Sequence, residues 1–542
     1  MGDFRFSSLR LRFRDGERRD AVLRESGRVG ALSADLRADG EGIGLTLAPE
    51  GEATLESVSA LFDFTFRPDD RLFLNGYQSW TDSYEHTAGE RIRPLGALPR
   101  MLDGRFGFSA YGDYRFTKTE RRRGRLHGFS YAYVRRGAEW ILFGSLAEDS
   151  GFTVIRFHTD RNCILFEKEC AGRRLTAPYR ALSVRVYRGA EDEVFDAWFF
   201  DLGIPKTERR RVDGYTSWYN RYQNISEESV TEDLAGFAAQ SEKPDFFQID
   251  DGYQTAVGDW LSVDEKKFPR GMAPIAERIR AAGMTPGIWL APFAAERTSR
   301  LVAEHPDWLL RGEDGKPVFA GGNWSGFFAL DIDRPEVVSY LERVFSAVIR
   351  DWGYRLLKLD FLYAACLVPT PDATRGERMA KAVDLLLRLT EGAEILACGV
   401  PLASVFGKVA YCRIGCDVAL SFDGDFYLRP MHRERPSTKF SLLNTLYRRQ
   451  LNGRAFLSDP DVFLLRDDNM KMTPEERKTL LTLNALCGGV LFTSDNVGAY
   501  SDEKKRLLRE AKKLTPADLL SVEREKKTVT VSYTGGTLTL KL

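Results

Sequence analysis

The chain has 542 residues, more than one hydrophobic core usually organises, so two or three domains are expected. Its 78 lysines and arginines balance 78 aspartates and glutamates, which gives no bulk electrostatic reason to expect nucleic acid or an anionic membrane as a partner. The first residues lack an apolar signal-peptide core, and no window approaches the roughly 18 uninterrupted apolar residues of a membrane span, so the sequence predicts an unexported protein.

The cysteines favour a cytoplasmic location. There are seven, an odd number, and their distribution does not resemble the disulfide framework of a secreted protein. Cys412 and Cys416 have a CxxxC spacing, but no second pair of Cys or His accompanies them, and the five histidines are scattered. We therefore predict no metal site and no cofactor.

The first part of the chain, residues 1–205, has the pattern of an all-β domain. Runs that alternate with period two, such as "GIGLTLAP", "GFTVIRFHT" and "ALSVRVYRG", are separated by clusters of Gly, Asp and Arg. Long helical periodicity is scarce. The pattern predicts a large N-terminal antiparallel β-sandwich. The basic stretch "KTERRRGRLHG" is interpreted as a solvated turn rather than a binding patch.

Residues 206–515 alternate short apolar strands with amphipathic helices, the pattern of a parallel sheet with helical crossovers. The strand candidates, in chain order, are "GYTSW", "FFQID", "TPGIWLAP", "LLKLDF", "EILACGV", "KVAYCRIG", "GRAFLSD" and "GVLFTSD". Eight strands with helices between many of them predict a central (β/α)8 TIM barrel. The rival, a doubly wound open sheet, lacks a glycine-rich phosphate turn after the first strand.

The last residues, 516–542, contain a hairpin pattern about Gly535 and Gly536 in "KKTVTVSYTGGTLTLKL". We expect a small C-terminal β-domain there. The predicted fold is thus multidomain, α/β plus all-β.

Unusual residues stand at the carboxyl end of every predicted barrel strand. They are Trp218, Asp250 with Asp251, Trp289, Asp360, Cys398 with Gly399, Arg413 followed by Asp417, Asp459 with Asp461, and Asp495. In this fold the carboxyl ends carry the active site, so carboxylates and tryptophans there indicate a polar cup with aromatic walls, which suits a carbohydrate. Asp461 and Asp495 are interpreted as helix caps rather than site residues.

Lys358 and Asp360 stand two residues apart in the otherwise apolar run "YRLLKLDFLYAA". In a strand, residues two apart point to the same face, so the two side chains are expected to be neighbours. Burying either charge is costly unless it is paired, which favours a functional site. A purely structural ion pair between them is the alternative.

Several motifs, in collinear order from about residue 75 to residue 495, carry a resemblance to a known family. They are "NGYQSW", "GYTSWYNRY", "FFQIDDGYQTAVGDW", "FPRGM", "GIWLAPF", "EHPDWLL", "LLKLDF", "ACGVPLASVFGKVAYCRIGCDV" and "LSDPDVFLLR". Together they resemble glycoside hydrolase family 36, the retaining α-galactosidases, and look most like its short bacterial members. The resemblance implies a β-sandwich, a (β/α)8 barrel and a small C-terminal β-domain. It implies an α-galactoside as substrate and leaves the oligomeric state open.

The resemblance also implies roles for single residues. Asp360, in the K-x-D-F motif, matches the nucleophile, and Asp417, closing R-I-G-x-D, matches the general acid/base. Asp250 and Asp251 match acceptors of the sugar's 4- and 6-hydroxyls. Further matches near the 2- and 3-hydroxyls and on the walls are Lys358, Cys398 with Gly399, Arg413, Trp218, Tyr219 and Trp289. The "NGYQSW" loop resembles a segment that reaches over the barrel mouth, which would put Trp80 in the site; a role at the domain interface is the alternative.

The chemistry of retention agrees with this assignment. It needs an ionised carboxylate as nucleophile and a protonated carboxyl as acid, roughly 5 to 5.5 Å apart. Asp360 and Asp417 follow predicted strands four and six, which lets them face each other across the barrel mouth. Lys358 is expected to keep Asp360 ionised, whereas Asp417 can hold a raised pKa. The sequence therefore predicts removal of terminal α-linked galactose by double displacement.

Alternatives stay open at this point. An α-N-acetylgalactosaminidase or a galactosyl-transferring enzyme could use the same scaffold, and a Schiff-base lyase could use Lys358 as nucleophile. The segment after Asp417, "LSFDGDFYLRP", lacks a tryptophan that the family often has there. The leaving-group side is therefore not predicted, and Asp423 or Asp425 remains a second candidate for the acid.

Overall fold

The computed structural model describes residues 4–542, and its N-terminal part is built of antiparallel strands. In chain order they are β1 Phe4–Arg14, β2 Arg18–Leu23, β3 Gly27–Val29, β4 Leu32–Asp39, β5 Gly42–Pro49, β6 Ala53–Phe64, β7 Arg71–Leu74, β8 Glu85–His86, β9 Arg125–Phe129, β10 Tyr131–Arg136, β11 Glu139–Ser145, β12 Thr153–His158, β13 Cys163–Lys168, β14 Arg174–Leu175 and β15 Tyr179–Gly189. One sheet has seven strands in the order β2-β1-β6-β13-β12-β9, with β14 beside β6. The other has eight, in the order β3-β4-β5-β15-β11-β10-β7-β8.

The two sheets bury their apolar faces against each other. Buried and less buried residues alternate along β6, as expected when one face of a strand is covered. Phe4 stacks on Phe62 of the same sheet at 4.3 Å and meets Phe143 of the opposite sheet at 5.5 Å. The predicted antiparallel sheets of the N-terminal part are confirmed, with a few helices beside them, whereas the boundary at residue 205 stays a prediction.

The middle of the chain contains a parallel sheet with one small antiparallel excursion. Its strands are β16 Val212–Thr216, β17 Phe246–Ile249, β18 Thr285–Leu290, β19 Ala294–Glu296, β20 Phe319–Gly321, β21 Phe327–Ala329, β22 Leu356–Leu359, β23 Glu394–Ala397, β24 Tyr411–Arg413, β25 Leu457–Asp459, β26 Val462–Phe463 and β27 Val490–Thr493. The nine parallel strands are ordered β25-β24-β23-β22-β18-β17-β16-β27-β26. A separate antiparallel sheet has the order β19-β21-β20.

The parallel sheet curls back on itself. The strands at its two ends, β25 and β26, are consecutive in the chain and are separated only by Pro460 and Asp461. Gly489, next to β27, donates a backbone hydrogen bond of 2.8 Å to Ser458 in β25. The predicted seventh strand, residues 453–459, is observed as the shorter β25. The chain then turns at Asp461, whose φ of 78° is a left-handed conformation that residues other than glycine rarely adopt, and continues into β26, which the sequence did not predict. The predicted parallel sheet is confirmed, with the additional strand β26 as a correction.

Several of the helices that cross between these strands begin at a capping side chain. The twelve α-helices are α1 Ala97–Met101, α2 Asp103–Phe106, α3 Glu191–Asp201, α4 Trp218–Arg221, α5 Glu227–Ala238, α6 Ala273–Ala281, α7 Arg300–Glu304, α8 Pro335–Ser346, α9 Arg375–Leu389, α10 Thr438–Tyr447, α11 Pro474–Cys487 and α12 Asp502–Lys513, all within the described residues. Thr374 accepts from the backbone of Glu377 at the start of α9, and Glu377 accepts from Thr374 in return. This capping box satisfies backbone donors that a helix leaves free.

The C-terminal residues form a small antiparallel sheet of three strands, β28 Leu519–Arg524, β29 Thr528–Tyr533 and β30 Gly536–Lys541. The hairpin expected about Gly535 and Gly536 is present between β29 and β30. Arg524 pairs with Glu90 at 2.9 Å, so this sheet contacts the N-terminal part. No helix within residues 4–542 is long and apolar enough to cross a lipid bilayer.

Candidate active site

A cavity of about 330 Å³ lies at the carboxyl ends of the parallel strands. Asp250 and Asp251 follow β17 directly, and Asp360 follows β22. The predicted residues that line the cavity are Trp80, Trp218, Asp250, Asp251, Trp289, Lys358, Asp360 and Asp417. The fold therefore gathers most of the predicted site, from segments more than 300 residues apart, around one space.

Asp360 is held in one orientation at the end of β22. The indole nitrogen of Trp289 donates to Asp360 Oδ2 at 3.1 Å, and the backbone of Phe361 donates to Oδ1 at 2.8 Å. Its own backbone nitrogen donates to Leu290 at 2.8 Å. Phe361 has a φ of 54°, so the chain turns sharply just after the carboxylate.

Lys358 forms its ion pair with a different carboxylate from the one predicted. Its Nζ lies 2.8 Å from Asp250 Oδ2, and both side chains are buried. Burial alone would lower the pKa of Lys358, but Asp250 and, at longer range, Asp360 raise it above its ordinary value. The alternative of a purely structural ion pair between Lys358 and Asp360 does not hold, because Lys358 pairs instead with Asp250, which follows β17, and only β18 separates β17 from β22 in the curled sheet.

Asp250 is tied firmly into the floor of the cavity. Its Oδ2 accepts from Thr216 Oγ1 at 3.1 Å, from Gln248 Nε2 at 2.8 Å and from Lys358. Its Oδ1 accepts from the backbone of Asp251 at 2.9 Å. These bonds fix the D-D-G turn.

Asp251 is aimed by three side chains. Trp324 Nε1 and Gln223 Nε2 donate to Oδ2 at 2.8 and 2.9 Å, and Gln254 Nε2 donates to Oδ1 at 2.6 Å. Burial raises the pKa of Asp251, while the donors from Trp324 and Gln254 oppose the rise. The carboxylate is therefore preorganised as an acceptor in a desolvated place.

Asp417 lies after β24, and its side chain is 38% exposed, toward the cavity that it lines. Its enclosure by the surrounding protein raises the pKa of Asp417, Arg413 and Lys358 lower it, and the Asp360 and Asp250 carboxylates raise it further. The resulting shift is upward. A carboxyl group with a raised pKa is what acid catalysis needs.

Arg413 is not on the cavity wall, although the family resemblance implies a place near the sugar. Its guanidinium lies 2.9 Å from Asp459, 2.8 Å from Asp461 and 3.1 Å from Asp417. Tyr219 is likewise behind the wall, where its hydroxyl donates to Asp461. Both predicted contact residues instead belong to a buried network beside Asp417.

The predicted helix-cap roles of Asp461 and Asp495 are wrong. Asp461 pairs with Arg413 and accepts from the backbone of Val418 at 2.7 Å, and β26 follows it instead of a helix. Asp495 pairs with Arg466 at 2.7 Å, and the next helical turn is capped by Asn496. Each carboxylate joins distant segments that no local pattern brings together.

Trp80 lies both in the cavity and at the contact between the N-terminal loop and the parallel sheet. It lines the cavity, and its indole nitrogen donates to Cys398 Sγ at 3.4 Å. A Cβ on Gly399 would come within 2.8 Å of the Trp80 ring, so a glycine is needed where the ring approaches. Cys398 and Gly399 are therefore covered by the indole and do not line the cavity.

The alternative acids after Asp417 are held elsewhere. Asp423 pairs with Arg435 at 2.8 Å, and although burial raises the pKa of Asp423, the surrounding cations lower it below its ordinary value. Asp425 accepts from Tyr427 at 3.0 Å. Neither carboxylate lines the cavity. The geometry leaves Asp417 as the better candidate for the proton donor.

Several wall residues escaped the sequence prediction. Trp324 lies in the turn between β20 and β21, whose strands of three residues are too short for a periodic signal, and only the glycines of "GGNWSG" hinted at a turn. The part of the wall that we call the outer wall consists of Phe106, Phe108, Tyr111, Leu428, His432 and Pro436. No motif pointed to it, because its two segments meet only in the folded chain.

The chain is similar to known α-galactosidases. The Melibiase family model matches residues 216–395. An α-galactosidase of Escherichia coli is 27% identical over 186 residues, an alignment that covers 33% of this chain and 24% of that protein. The match thus spans about a quarter of the curated relative's length.

A solved structure is similar over nearly the whole chain. It is TtGalA, an α-galactosidase from Thermus thermophilus in complex with p-nitrophenyl α-D-galactopyranoside, with a TM-score of 0.72 and 29% identity, and it covers 95% of this chain and 98% of that one. The same protein in complex with stachyose has a TM-score of 0.70 and 30% identity over 90% of this chain and 98% of that one.

Proposed function

The chain belongs to glycoside hydrolase family 36, and from that premise we propose that it removes terminal α-linked galactose from α-galactosides with retention of the anomeric configuration. The observation that carries the proposal is the shared cavity of Asp360 and Asp417, with Asp250, Asp251 and Lys358 beside them. The bound galactosides of the Thermus thermophilus relative support the substrate class.

In the first step of the proposed mechanism, Asp360 attacks the anomeric carbon and forms a β-linked galactosyl ester. Asp417 gives its proton to the departing oxygen, so that the leaving group departs as a neutral alcohol. In the second step, Asp417 takes a proton from water, the water attacks the ester, and α-galactose and the Asp360 carboxylate are released. The raised pKa of Asp417 favours its protonated form before the first step.

Recognition is proposed to rest on acceptors and donors that the fold orients in advance. Asp251 and Asp250 accept from the 4- and 6-hydroxyls, and Lys358, kept cationic by its carboxylate neighbours, donates to a further hydroxyl. The indoles of Trp289 and Trp324 flank the sugar. An epimer that lacks the axial hydroxyl would lose its hydrogen bond to these buried carboxylates, which disfavours glucosides.

Arg413 is proposed to act through Asp417 instead of touching the sugar. The positive charge of Arg413 opposes the upward shift of the pKa of Asp417. Asp459 and Asp461 partly neutralise that charge. The domain layout is proposed as 1–205, 206–515 and 516–542. β25 and β26 follow each other in the chain, yet β25 pairs with β24 at one end of the sheet and β26 pairs with β27 at the other. This supports a closed (β/α)8 barrel for the middle part.

The Schiff-base lyase is disfavoured by one observation. A nucleophilic lysine must lose its proton, yet the carboxylates around Lys358 raise its pKa. The α-N-acetylgalactosaminidase and galactosyl-transfer alternatives share the carboxylate pair, so only an assay of substrates separates them from hydrolysis of α-galactosides.

A panel of aryl α-glycosides, with the product anomers followed by NMR, tests the proposal. We expect cleavage of the α-galactoside in preference to the α-glucoside and the α-N-acetylgalactosaminide, with α-galactose formed first. Preference for the glucoside would contradict the roles of Asp250 and Asp251. A β-product formed first would contradict retention.

A further inference from the structure

The outer wall is one packed surface made by two segments that are distant in the sequence. Residues 106–111 lie between β8 and β9, whereas residues 428–436 follow Asp417. The His432 ring stacks on Tyr111 at 5.3 Å and lies 5.4 Å from Phe108. Arg93 donates to the backbone oxygen of His432 at 3.1 Å, which ties the second segment to the N-terminal part.

The outer wall begins beside Asp417. Ser437 donates a backbone hydrogen bond of 2.8 Å to the carbonyl of Asp417, and the preceding residue, Pro436, lines the cavity. A general acid must reach the oxygen of the leaving group. The group attached to that oxygen therefore has to extend along the side of the cavity that the outer wall forms.

This side of the cavity is mostly apolar. Phe106, Phe108, Leu428 and Pro436 have no side-chain donor or acceptor. Glu434 also lines the cavity, but its carboxylate already accepts from Thr81 at 3.0 Å and from Tyr114 at 2.9 Å. The contrast with the carboxylates and the lysine around Asp360 divides the cavity into a polar and an apolar half.

Exposed apolar side chains are concentrated in and beside the two segments. Ten large hydrophobic side chains are exposed in the part of the chain that the structure describes, and five lie within these segments or within eight residues of them in the chain: Leu98, Met101, Phe106, Phe426 and Tyr427. A sixth, Tyr222, meets Trp218, which lines the cavity, at 5.2 Å. Exposure concentrated at a cavity wall favours a binding surface, whereas scattered apolar residues need no explanation.

We propose that the outer wall is a subsite for an apolar leaving group, an alkyl or aryl aglycone joined to α-galactose. This inference rests on the proposed function and specifies its substrate class. Each methylene group that the wall removes from water should raise kcat/KM about fourfold.

The test compares octyl α-galactoside, used below its micelle concentration, with methyl α-galactoside. Both leaving groups are simple alcohols of similar acidity, so the ratio of their kcat/KM values reports contacts with the chain rather than the chemistry of departure. We expect octyl to exceed methyl by roughly 30-fold, which corresponds to two or three buried methylenes. Phe106→Ala and Leu428→Asn should each reduce that ratio about fivefold or more.

Phe200→Ala is the matched control, because Phe200 is 82% exposed on α3 and lies outside the cavity. The ratio should be unchanged in it. A ratio near one in the unmodified protein that cleaves methyl α-galactoside would overturn this inference and leave the proposed function standing. Turnover of neither galactoside would overturn both.

The oligomeric state gives a second measurement. If sedimentation shows that Phe106→Ala changes the mass of the particle while the octyl-to-methyl ratio stays as in the unmodified protein, the surface is a contact between copies of the chain and the subsite is refuted. The inference predicts the reverse, with an unchanged mass and a reduced ratio.

Discussion

At the scale of single residues, the site depends on two carboxylates in unlike surroundings. Asp360 is oriented by Trp289 and by the backbone of Phe361, whereas Asp417 has a pKa raised by its enclosure and opposed by Arg413. One carboxylate fixed as an acceptor and one favoured as an acid are what double displacement requires. Their roles can be separated by replacing each in turn.

Azide rescue should give opposite anomers from the two variants. Asp360→Gly removes the nucleophile and leaves a space beside the anomeric carbon, so azide can attack an activated α-galactoside in one inversion and give β-galactosyl azide. Asp417→Gly should still form the β-linked ester from dinitrophenyl α-galactoside, whose leaving group needs no proton. Azide then attacks that ester and gives α-galactosyl azide. NMR of the products identifies each anomer.

The same anomer from both variants would require the roles to be reassigned. Asp425→Gly is the matched control, because Asp425 follows Asp417 in the chain but does not line the cavity. That variant should keep hydrolysis without azide. A loss of hydrolysis there would instead restore Asp425 as a candidate acid.

At the scale of elements, the short hairpin of β20 and β21 affects the candidate site, because it carries Trp324. It carries Trp324 in a left-handed conformation, with a φ of 57°, and aims the indole nitrogen at Asp251. A donor to a carboxylate stabilises its ionised form. The hairpin therefore acts on recognition through one hydrogen bond.

Trp324→Phe should shift the acid limb of the pH profile of kcat/KM upward. The Trp324 donor lowers the pKa of Asp251, so its removal lets burial raise that pKa further, and Asp251 then becomes an ionised acceptor only at higher pH. At the optimum, kcat/KM for an aryl α-galactoside should fall roughly tenfold, the value of one hydrogen bond to a charged group. Trp352→Phe, an indole outside the cavity, is the control. An acid limb that stays in place or moves to lower pH would contradict the role of Trp324.

At the scale of the whole molecule, a buried arginine joins the N-terminal loop that carries Trp80 to the parallel sheet. Arg448 is fully buried and donates to the carbonyl oxygens of Ser79 at 2.6 Å and of Ile414 at 2.7 Å. It also donates to the side chain of Asn75 at 2.9 Å. Ile414 lies three residues before Asp417, so this contact also supports the segment of the proposed acid.

Arg448→Met should lower the free energy of unfolding by about 2 to 4 kcal/mol, because several buried oxygens lose their donor while the volume is nearly kept. Urea unfolding followed by tryptophan fluorescence measures the change. Arg37→Met, at a side chain that is 87% exposed, should alter stability by less than about 0.5 kcal/mol. Equal stability of the two variants would show that the contact contributes nothing to joining the parts.

Local pattern in the sequence determined much of this protein. Alternation with period two predicted the N-terminal sheets, and the change to short apolar runs between amphipathic helices predicted the parallel sheet, because burial of one face is recorded in neighbouring residues. Since the carboxyl ends of parallel strands meet at one edge, Asp250, Asp251, Asp360 and Asp417 could be placed in one site before any contact was known.

The tertiary structure alone decided which of these groups touch. Lys358 pairs with Asp250 rather than Asp360 because the strand order β22-β18-β17 places the two side chains within reach of each other across one intervening strand. Arg413 does not line the cavity, because the turn between β25 and β26 places Asp461 beside its guanidinium. The outer wall forms only where two distant segments pack together. The pattern of neighbouring residues in the sequence predicts whether a side chain is buried, but the curvature of the sheet and contacts between distant segments determine which side chain it pairs with.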